Sequence, residues 1–283
     1  MKIGLLLEGG GMRGLYTAGV LDVFMEKQIL IDGIIGVSAG ALFGINYKSN
    51  QRGRILRYNK KYAKNKNYMG IYSLLTTGNI MNEEFCFDKI VNELDPIDYE
   101  TFKKSKVEFY AMVTNLETGK AEYIKIDDLR DKHNLEYLRA SGSMPFVSKP
   151  VNIDNKKYLD GGIADSIPID KMMCMDYDKV IVVLTRPKEY RKKKSNQVFP
   201  KLYYKTYPKF AEAINHRYQM YNEELEKISH LEKEGKIFVI RPSKLIKIKR
   251  IEKNKDKIQE MYDLGEEDAL NLLVRLNEFI NHK

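Results

Sequence analysis

The N-terminal stretch leaves the chain little freedom of fold. An apolar run, Ile3-Gly4-Leu5-Leu6-Leu7, leads into Glu8-Gly9-Gly10-Gly11-Met12-Arg13-Gly14. An apolar segment follows, with Leu15, Ala18, Val20, Leu21 and Phe24 directed inward, and a second apolar run over residues 29–37 ends at Ser38. Strand, helix, strand at this separation predicts a parallel βαβ unit, because parallel neighbours need a crossover between them.

The second strand runs into Gly36-Val37-Ser38-Ala39-Gly40 and then an apolar helix. Gly-x-Ser-x-Gly at a strand-to-helix corner is the pattern of a nucleophile elbow. A serine lifted above a sheet edge occupies a strained turn. The residues two away on each side, Gly36 and Gly40, are then crowded and best without a Cβ. The helix that starts at the serine points its free amides at any negative charge forming there. The same pattern also occurs as a glycine-softened turn with no chemistry, so other stretches have to decide.

The loop at residues 9–14 matches Gly-x-Gly-x-x-Gly, which opens dinucleotide sites as well. That reading requires an acid at the end of the second strand, and here the strand ends in the serine turn, with Asp32 ahead of its apolar core. The reading that fits better is a backbone anion cradle built by Gly9, Gly10, Gly11 and Gly14. Bare amides approach an oxyanion only where side chains are missing. Arg13 either adds a cation to that cradle or anchors the loop.

Further on, residues 79–94 read as a helix stopped near Pro96, and residues 107–114 and 121–126 as a hairpin about a turn at 115–119. Residues 134–140 read as a short helix broken by Ser141-Gly142-Ser143-Met144-Pro145. A second hairpin turns at Asp154-Asn155 and runs into Asp160-Gly161-Gly162. Residues 168–175 read as a helix whose Met172, Met173 and Met175 fill core, and residues 179–185 as a buried strand. Phe210, Ile214, Tyr218, Tyr221, Leu225 and Ile228 recur at helical spacing. Residues 236–240 form a last strand, and residues from Ile258 to Ile280 a terminal helix. No repeat or linker interrupts the 283 residues, so a single domain with a helix-rich part after about residue 200 is expected.

Asp160 ends a strand, where a carboxylate is held on a rigid element, and the two glycines let another loop approach. The histidines, His133, His216, His230 and His282, lie in charged or helical contexts, none in a glycine-flanked turn after a strand. If Ser38 is a nucleophile, its base is then a carboxylate, which the site must desolvate while stabilising the oxyanion strongly.

Gly9-Gly10-Gly11-Met12-Arg13-Gly14, Gly36-Val37-Ser38-Ala39-Gly40 and Asp160-Gly161-Gly162, in this order, resemble the patatin-like phospholipase family. Residues 140–145 and the strand-turn at 114–119 resemble its bacterial branch, and the likeness covers roughly residues 3–187. The resemblance implies a three-layer α/β/α sandwich with a central, mostly parallel sheet. It implies a Ser38–Asp160 dyad, an oxyanion hole at residues 9–14, an acyl-lipid substrate, and no metal or other cofactor.

Composition supplies the partner expectations. Net charge is +9, which favours acidic partners, nucleic acid or an anionic membrane face. With the lipid resemblance the membrane is expected as a peripheral contact and nucleic acid is not. Two basic stretches interleaved with tyrosines, residues 48–68 and 186–209, are the candidates for that contact. Cys86 and Cys174 show no ligand or disulfide spacing and are expected in the core of a reducing-compartment protein. The N-terminal apolar run is short for a secretory signal and no run spans a bilayer, so a cytoplasmic protein is expected. An α/β-hydrolase triad with a histidine, and a non-catalytic lipid-binding protein on the same fold, are the competing readings.

Overall fold

The computed structural model describes residues 1–194 and 196–282. In chain order the elements are β1 (Ile3–Leu7), α1 (Leu15–Glu26), β2 (Gly33–Val37), α2 (Ala39–Lys48), α3 (Arg54–Tyr62), α4 (Ile71–Thr77) and a π-helical stretch (Phe85–Leu94). Next come α5 (Tyr99–Lys104), β3 (Glu108–Asn115), β4 (Ala121–Lys125), α6 (Lys132–Ser141), β5 (Val151–Ile153), β6 (Lys156–Asp160), α7 (Ile169–Met173) and β7 (Lys179–Val183). The chain closes with α8 (Val198–Tyr203), α9 (Pro208–Lys233), β8 (Ile237–Ile240) and α10 (Lys255–Asn281).

One sheet has the order β5-β6-β3-β2-β1-β7-β8, with β4 also on β3. The run β3-β2-β1-β7-β8 is parallel, with Leu5 opposite both Ile34 and Ile181. The antiparallel pairings, β3–β4, β3–β6 and β5–β6, gather at one edge. Alternation along β1 sorts the two faces. Ile3, Leu5 and Leu7 meet Phe24 of α1, Phe43 of α2 and Met261 of α10. Leu6, with Ile35 and Val182, meets Met172 of α7 and Tyr221 and Ile228 of α9. Helices therefore cover both faces, which is the expected three-layer arrangement around a mixed sheet. β8 extends this same sheet, and α10 is tied to α1 by Tyr262 Oη donating to Asp22 at 2.5 Å and Tyr16 Oη to Asp268 at 3.0 Å.

Several local expectations shift. β2 is shorter than residues 29–37, since Asp32 caps its start by accepting the Ile3 amide at 2.7 Å. Residues 79–82 are extended rather than helical: Met81 bridges Met69 and the Ile80 amide donates to Val147. Cys86 is buried as expected but Cys174 is exposed, because it caps the short α7 at the surface. Of the three methionines there, Met172 is core and Met173 is exposed. No described helix is long and apolar enough to cross a membrane.

Candidate active site

β2 ends at Val37 and α2 starts at Ala39, so Ser38 alone makes the turn. Its φ of 53° and ψ of −121° are values that non-glycine residues avoid. The corner closes only because two side chains are missing. A Cβ on Gly36 would stand 2.5 Å from Ala41 Cα, and one on Gly40 would run into the Leu7 carbonyl of β1. The crowding is thus against α2 and β1 as well as between the two glycine positions. Ser38 is pinned from outside its own turn, its amide donating to Ser141 Oγ at the end of α6 at 3.0 Å.

Asp160 comes to Ser38 through the antiparallel edge. β6 pairs with β3, Val113 opposite Asp160, which carries the end of β6 to the C-terminal end of β2. Ser38 Oγ donates to Asp160 Oδ2 at 2.7 Å. The other oxygen, Oδ1, accepts the Gly162 amide at 2.8 Å, and Thr114 Oγ1 donates to the Asp160 carbonyl at 2.9 Å. The carboxylate is therefore fixed at both oxygens and at its backbone. Burial raises its pKa above the ordinary carboxylate range, opposed by Arg217, the Ser38 hydroxyl and the Gly162 amide. Such a carboxylate is a stronger proton acceptor than a solvated one.

The glycine loop lies directly over the serine. A Cβ on Gly9 would stand 2.8 Å from Ser38 Cβ. The Met12 amide donates to Arg250 O at 3.0 Å and the Arg13 amide to Gly10 O at 3.3 Å. The amides of Gly10 and Gly11 have no partner among the described residues. Gly14 sits back from the serine, packed against Phe43 and Ala39, and serves the α1–α2 contact. Glu8 clamps the loop's base: its carboxylate accepts the Thr185 amide at 2.5 Å and Tyr221 Oη at 2.6 Å. Arg13 lines the cavity beyond the loop.

Ser38 borders two chambers. One is a narrow apolar slot of about 100 Å³ running between Leu42, Phe43, Tyr58, Met69, Ile90 and Leu138. The other, of about 530 Å³, mixes charged and apolar side chains, is the more polar of the two, and holds Asp160 and the glycine loop. Among the described residues no histidine lines either. His133 instead faces Asp154 at 3.1 Å on the surface.

A family model described as patatin-like phospholipase matches residues 5–173. The chain belongs to this family. A second model, described only as a domain of unknown function (DUF6363), matches residues 207–281. Among relatives, an uncharacterized Escherichia coli protein, YjjU, is 29% identical over 66% of this chain and 53% of its own length. Lysophospholipase nte1 of Aspergillus niger is 28% identical over 64% of this chain but only 12% of its own length. A probable lipid hydrolase of Invertebrate iridescent virus 6, 463L, is 25% identical over 59% of this chain and 61% of its own. The chain thus spans about half of the first relative and a small part of the second. VipD from Legionella pneumophila has the same fold, with TM-score 0.51 at 13% identity, over 97% of this chain and 67% of that one.

In this patatin-like chain Ser38, Asp160 and the glycine loop were legible as motifs. The groups around them were not. Arg217 and Tyr221 come from α9, Arg250 from the irregular segment before α10, and Arg186 and Lys192 from the loop after β7. One signal was present: Tyr221 continues the apolar face of α9, and Arg217 lies one turn before it.

Proposed function

We propose that the protein hydrolyses the acyl esters of lipids through a Ser38–Asp160 dyad. The observation that carries this reading is the 2.7 Å hydrogen bond from Ser38 Oγ to Asp160 beneath unpaired glycine amides. Asp160 takes the hydroxyl proton as Oγ attacks the ester carbonyl carbon. The oxygen, now negative, faces the amides of Gly10 and Gly11. Collapse breaks the ester C–O bond, and the departing alcohol takes the proton from Asp160. Water then attacks the acyl-serine, again giving its proton to Asp160. Collapse breaks the bond from the acyl carbon to Oγ, Ser38 takes that proton back from Asp160, and the fatty acid leaves. The apolar slot takes the acyl chain, and its narrowness suits one chain rather than two. The loop of residues 9–14 acts as the oxyanion hole, with Gly14 in a packing role.

We take the two matched regions as one folding unit, supported by β8 in the common sheet and α10 on α1. Peripheral contact with an anionic membrane fits α8, where Val198 and Leu202 are 72% and 71% exposed. Phe199 and Tyr203 of α8 stack on Phe146, which lines the polar chamber.

Ser38→Ala and Asp160→Asn are each expected to lower kcat/KM on an acyl ester by roughly 10³-fold or more while thermal unfolding stays intact. A fluorophosphonate ester is expected to add to Ser38, as read by peptide mass. The acid limb of the pH–rate profile should lie above the ordinary Asp value, since only ionised Asp160 accepts the proton and its pKa is raised. Full turnover by Asp160→Asn would remove the dyad. No adduct at Ser38 would favour a lipid-binding protein without catalysis.

A further inference from the structure

The polar chamber carries far more positive charge than the chemistry of ester hydrolysis uses. Arg13, Arg186, Lys192, Lys193, Arg217 and Arg250 all line it, and among the described residues its only carboxylates are Glu8 and Asp160. Both carboxylates are already committed, Glu8 to Thr185 and Tyr221, Asp160 to Ser38 and Gly162. Among the described residues no carboxylate lies within ion-pair distance of any of the six cations. Arg217 Nε has a neutral partner, Ser166 Oγ, at 3.2 Å, and Arg13 Nε is buried with no hydrogen-bond partner.

Lys193 and Arg250 are exposed, but Arg13, Arg186, Lys192 and Arg217 are half-buried among neutral contacts. Arg186 lies over the Tyr190 ring at 4.4 Å and Lys192 over the Tyr221 ring at 4.7 Å. Among the described residues the cations therefore repel one another with no paired carboxylate to offset it. The strain is visible at Lys192. Burial, then Arg217 and Arg250, pull its ammonium down to about 7. Burial, then Arg186, likewise lower Arg13 to about 10. The cluster is not a property of one exposed helix. It is drawn from the glycine loop, the loop after β7, α9 and the segment before α10, and converges on the space beside Ser38.

We propose that this chamber is a head-group site for a phosphate-bearing lipid, selecting a single-chain phospholipid whose head group is anionic over one that is zwitterionic or neutral. This rests on the hydrolase reading above and names its substrate class. The ester lies at Ser38, the chain in the apolar slot and the phosphate among the guanidinium and ammonium groups, which bind it by charge-assisted hydrogen bonds. A choline or ethanolamine group would bring its own cation into a chamber with no free carboxylate to receive it. The part of the chain matched by the domain of unknown function supplies Arg217 and Arg250, so on this reading it completes substrate recognition.

The test uses monomeric lipids of one acyl chain, below the micelle concentration so that surface adsorption does not enter. They are a monoacylglycerol, lysophosphatidylcholine, lysophosphatidylglycerol and lysophosphatidic acid. Fatty-acid release by the full chain is expected to favour the two anionic lipids by about tenfold or more in kcat/KM. Lys192→Met and Arg186→Met are each expected to lower the anionic-to-neutral ratio several-fold, and Lys192→Arg to keep it. An equal ratio, or a preference for the choline lipid, overturns the proposal and leaves the hydrolase reading standing. Hydrolysis of none of the four overturns the hydrolase reading instead. The head-group site is then read separately from binding to Ser38→Ala protein, where lysophosphatidylglycerol must bind more tightly than monoacylglycerol. Inorganic phosphate is the last arm. If it binds Ser38→Ala protein as tightly as lysophosphatidylglycerol, the chamber is a site for free anions and the proposal fails.

Discussion

Two stretches of this chain have nearly the same composition and opposite fates. Residues 48–68 carry eight lysines and arginines with no acid, interleaved with tyrosines, and residues 186–209 carry nine against Glu189 alone. The first folds inward. Tyr58, Tyr62 and Tyr68 are buried, Lys48 donates to the Val107 carbonyl at 2.6 Å, and Arg54, 2% exposed, donates to Asp95 O at 2.9 Å and Asn46 at 3.0 Å. Arg57 grips the Asp95 carboxylate at 2.7 Å through both Nε and Nη2. Arg54 and Arg57 of this stretch take a structural role because Asp95, from another element, meets them, while Lys61, Lys64 and Lys66 stay exposed. Among the described residues the second stretch meets no such acid. Arg186, Lys192 and Lys193 line the chamber beside Ser38, and the apolar side chains on α8 face solvent. Composition is blind to this difference. What separates the two is whether a carboxylate arrives from elsewhere in the fold.

The largest expected effect follows from that contrast. Arg54→Ala removes hydrogen bonds to Asn46 and the Asp95 carbonyl and opens a cavity, and should cost about 3 kcal/mol of stability or more, read from urea midpoints. Lys192→Met takes one charge out of a self-repelling cluster and should leave the midpoint unchanged or raised. Equal losses from both substitutions would mean that the two stretches are built alike.

How much was legible depends on whether the cause was local. Ser38 is readable because its turn demands Gly36 and Gly40 within the same few residues, and Asp160 because the hairpin about Asp154-Asn155, both with positive φ, fixes where its strand ends. The alternating apolar pattern of β1 places helices on both faces. Arg217 was hidden because on α9 an arginine at a partly apolar face reads as a solvated residue, and only packing of α9 against Asp160 and Ser166 gives it meaning. Arg250 was hidden for a different reason. It sits in a segment without regular structure, and its contact with the glycine loop is through its carbonyl, which no side-chain pattern records. Of the basic stretches, the first reads in the sequence only as a candidate membrane contact, whereas Ile55, Tyr58 and Tyr62 form a buried face of α3 in the structure.

The comparison is sharpened at α8. Val198→Ser with Leu202→Ser removes apolar surface that is exposed and packs on no core, so the fold should be unaffected. Binding to vesicles containing an anionic phospholipid should fall about tenfold in flotation if those side chains enter the lipid surface. Leu30→Ser is the matched control. Leu30 is 77% exposed but precedes β2, at the end of that strand away from Ser38, and its loss should leave vesicle binding as it was. If Leu30→Ser weakens binding as much, apolar exposure in general and not α8 carries the contact.

The smallest effect concerns how each stretch is held. Residues 48–68 are locked by buried ionic and hydrogen bonds, whereas the second stretch is clasped at Lys192, whose amide donates to Asn222 Oδ1 at 2.8 Å while Asn222 Nδ2 returns a bond to its carbonyl at 3.1 Å. Trypsin, which cuts after lysine and arginine, should therefore cleave first within residues 188–194 and spare residues 52–66 despite their larger supply of sites. Asn222→Ala breaks both bonds of the clasp. The loss is about 1 kcal/mol per bond at most, so global unfolding should move little, but cleavage after Lys192 should accelerate several-fold as the loop opens more often. The anionic-to-neutral ratio should fall with it, because Lys192 no longer stands where Arg217 and Tyr221 hold the chamber's shape. First cleavage within residues 52–66 would reverse the assignment of which stretch is scaffold and which is site.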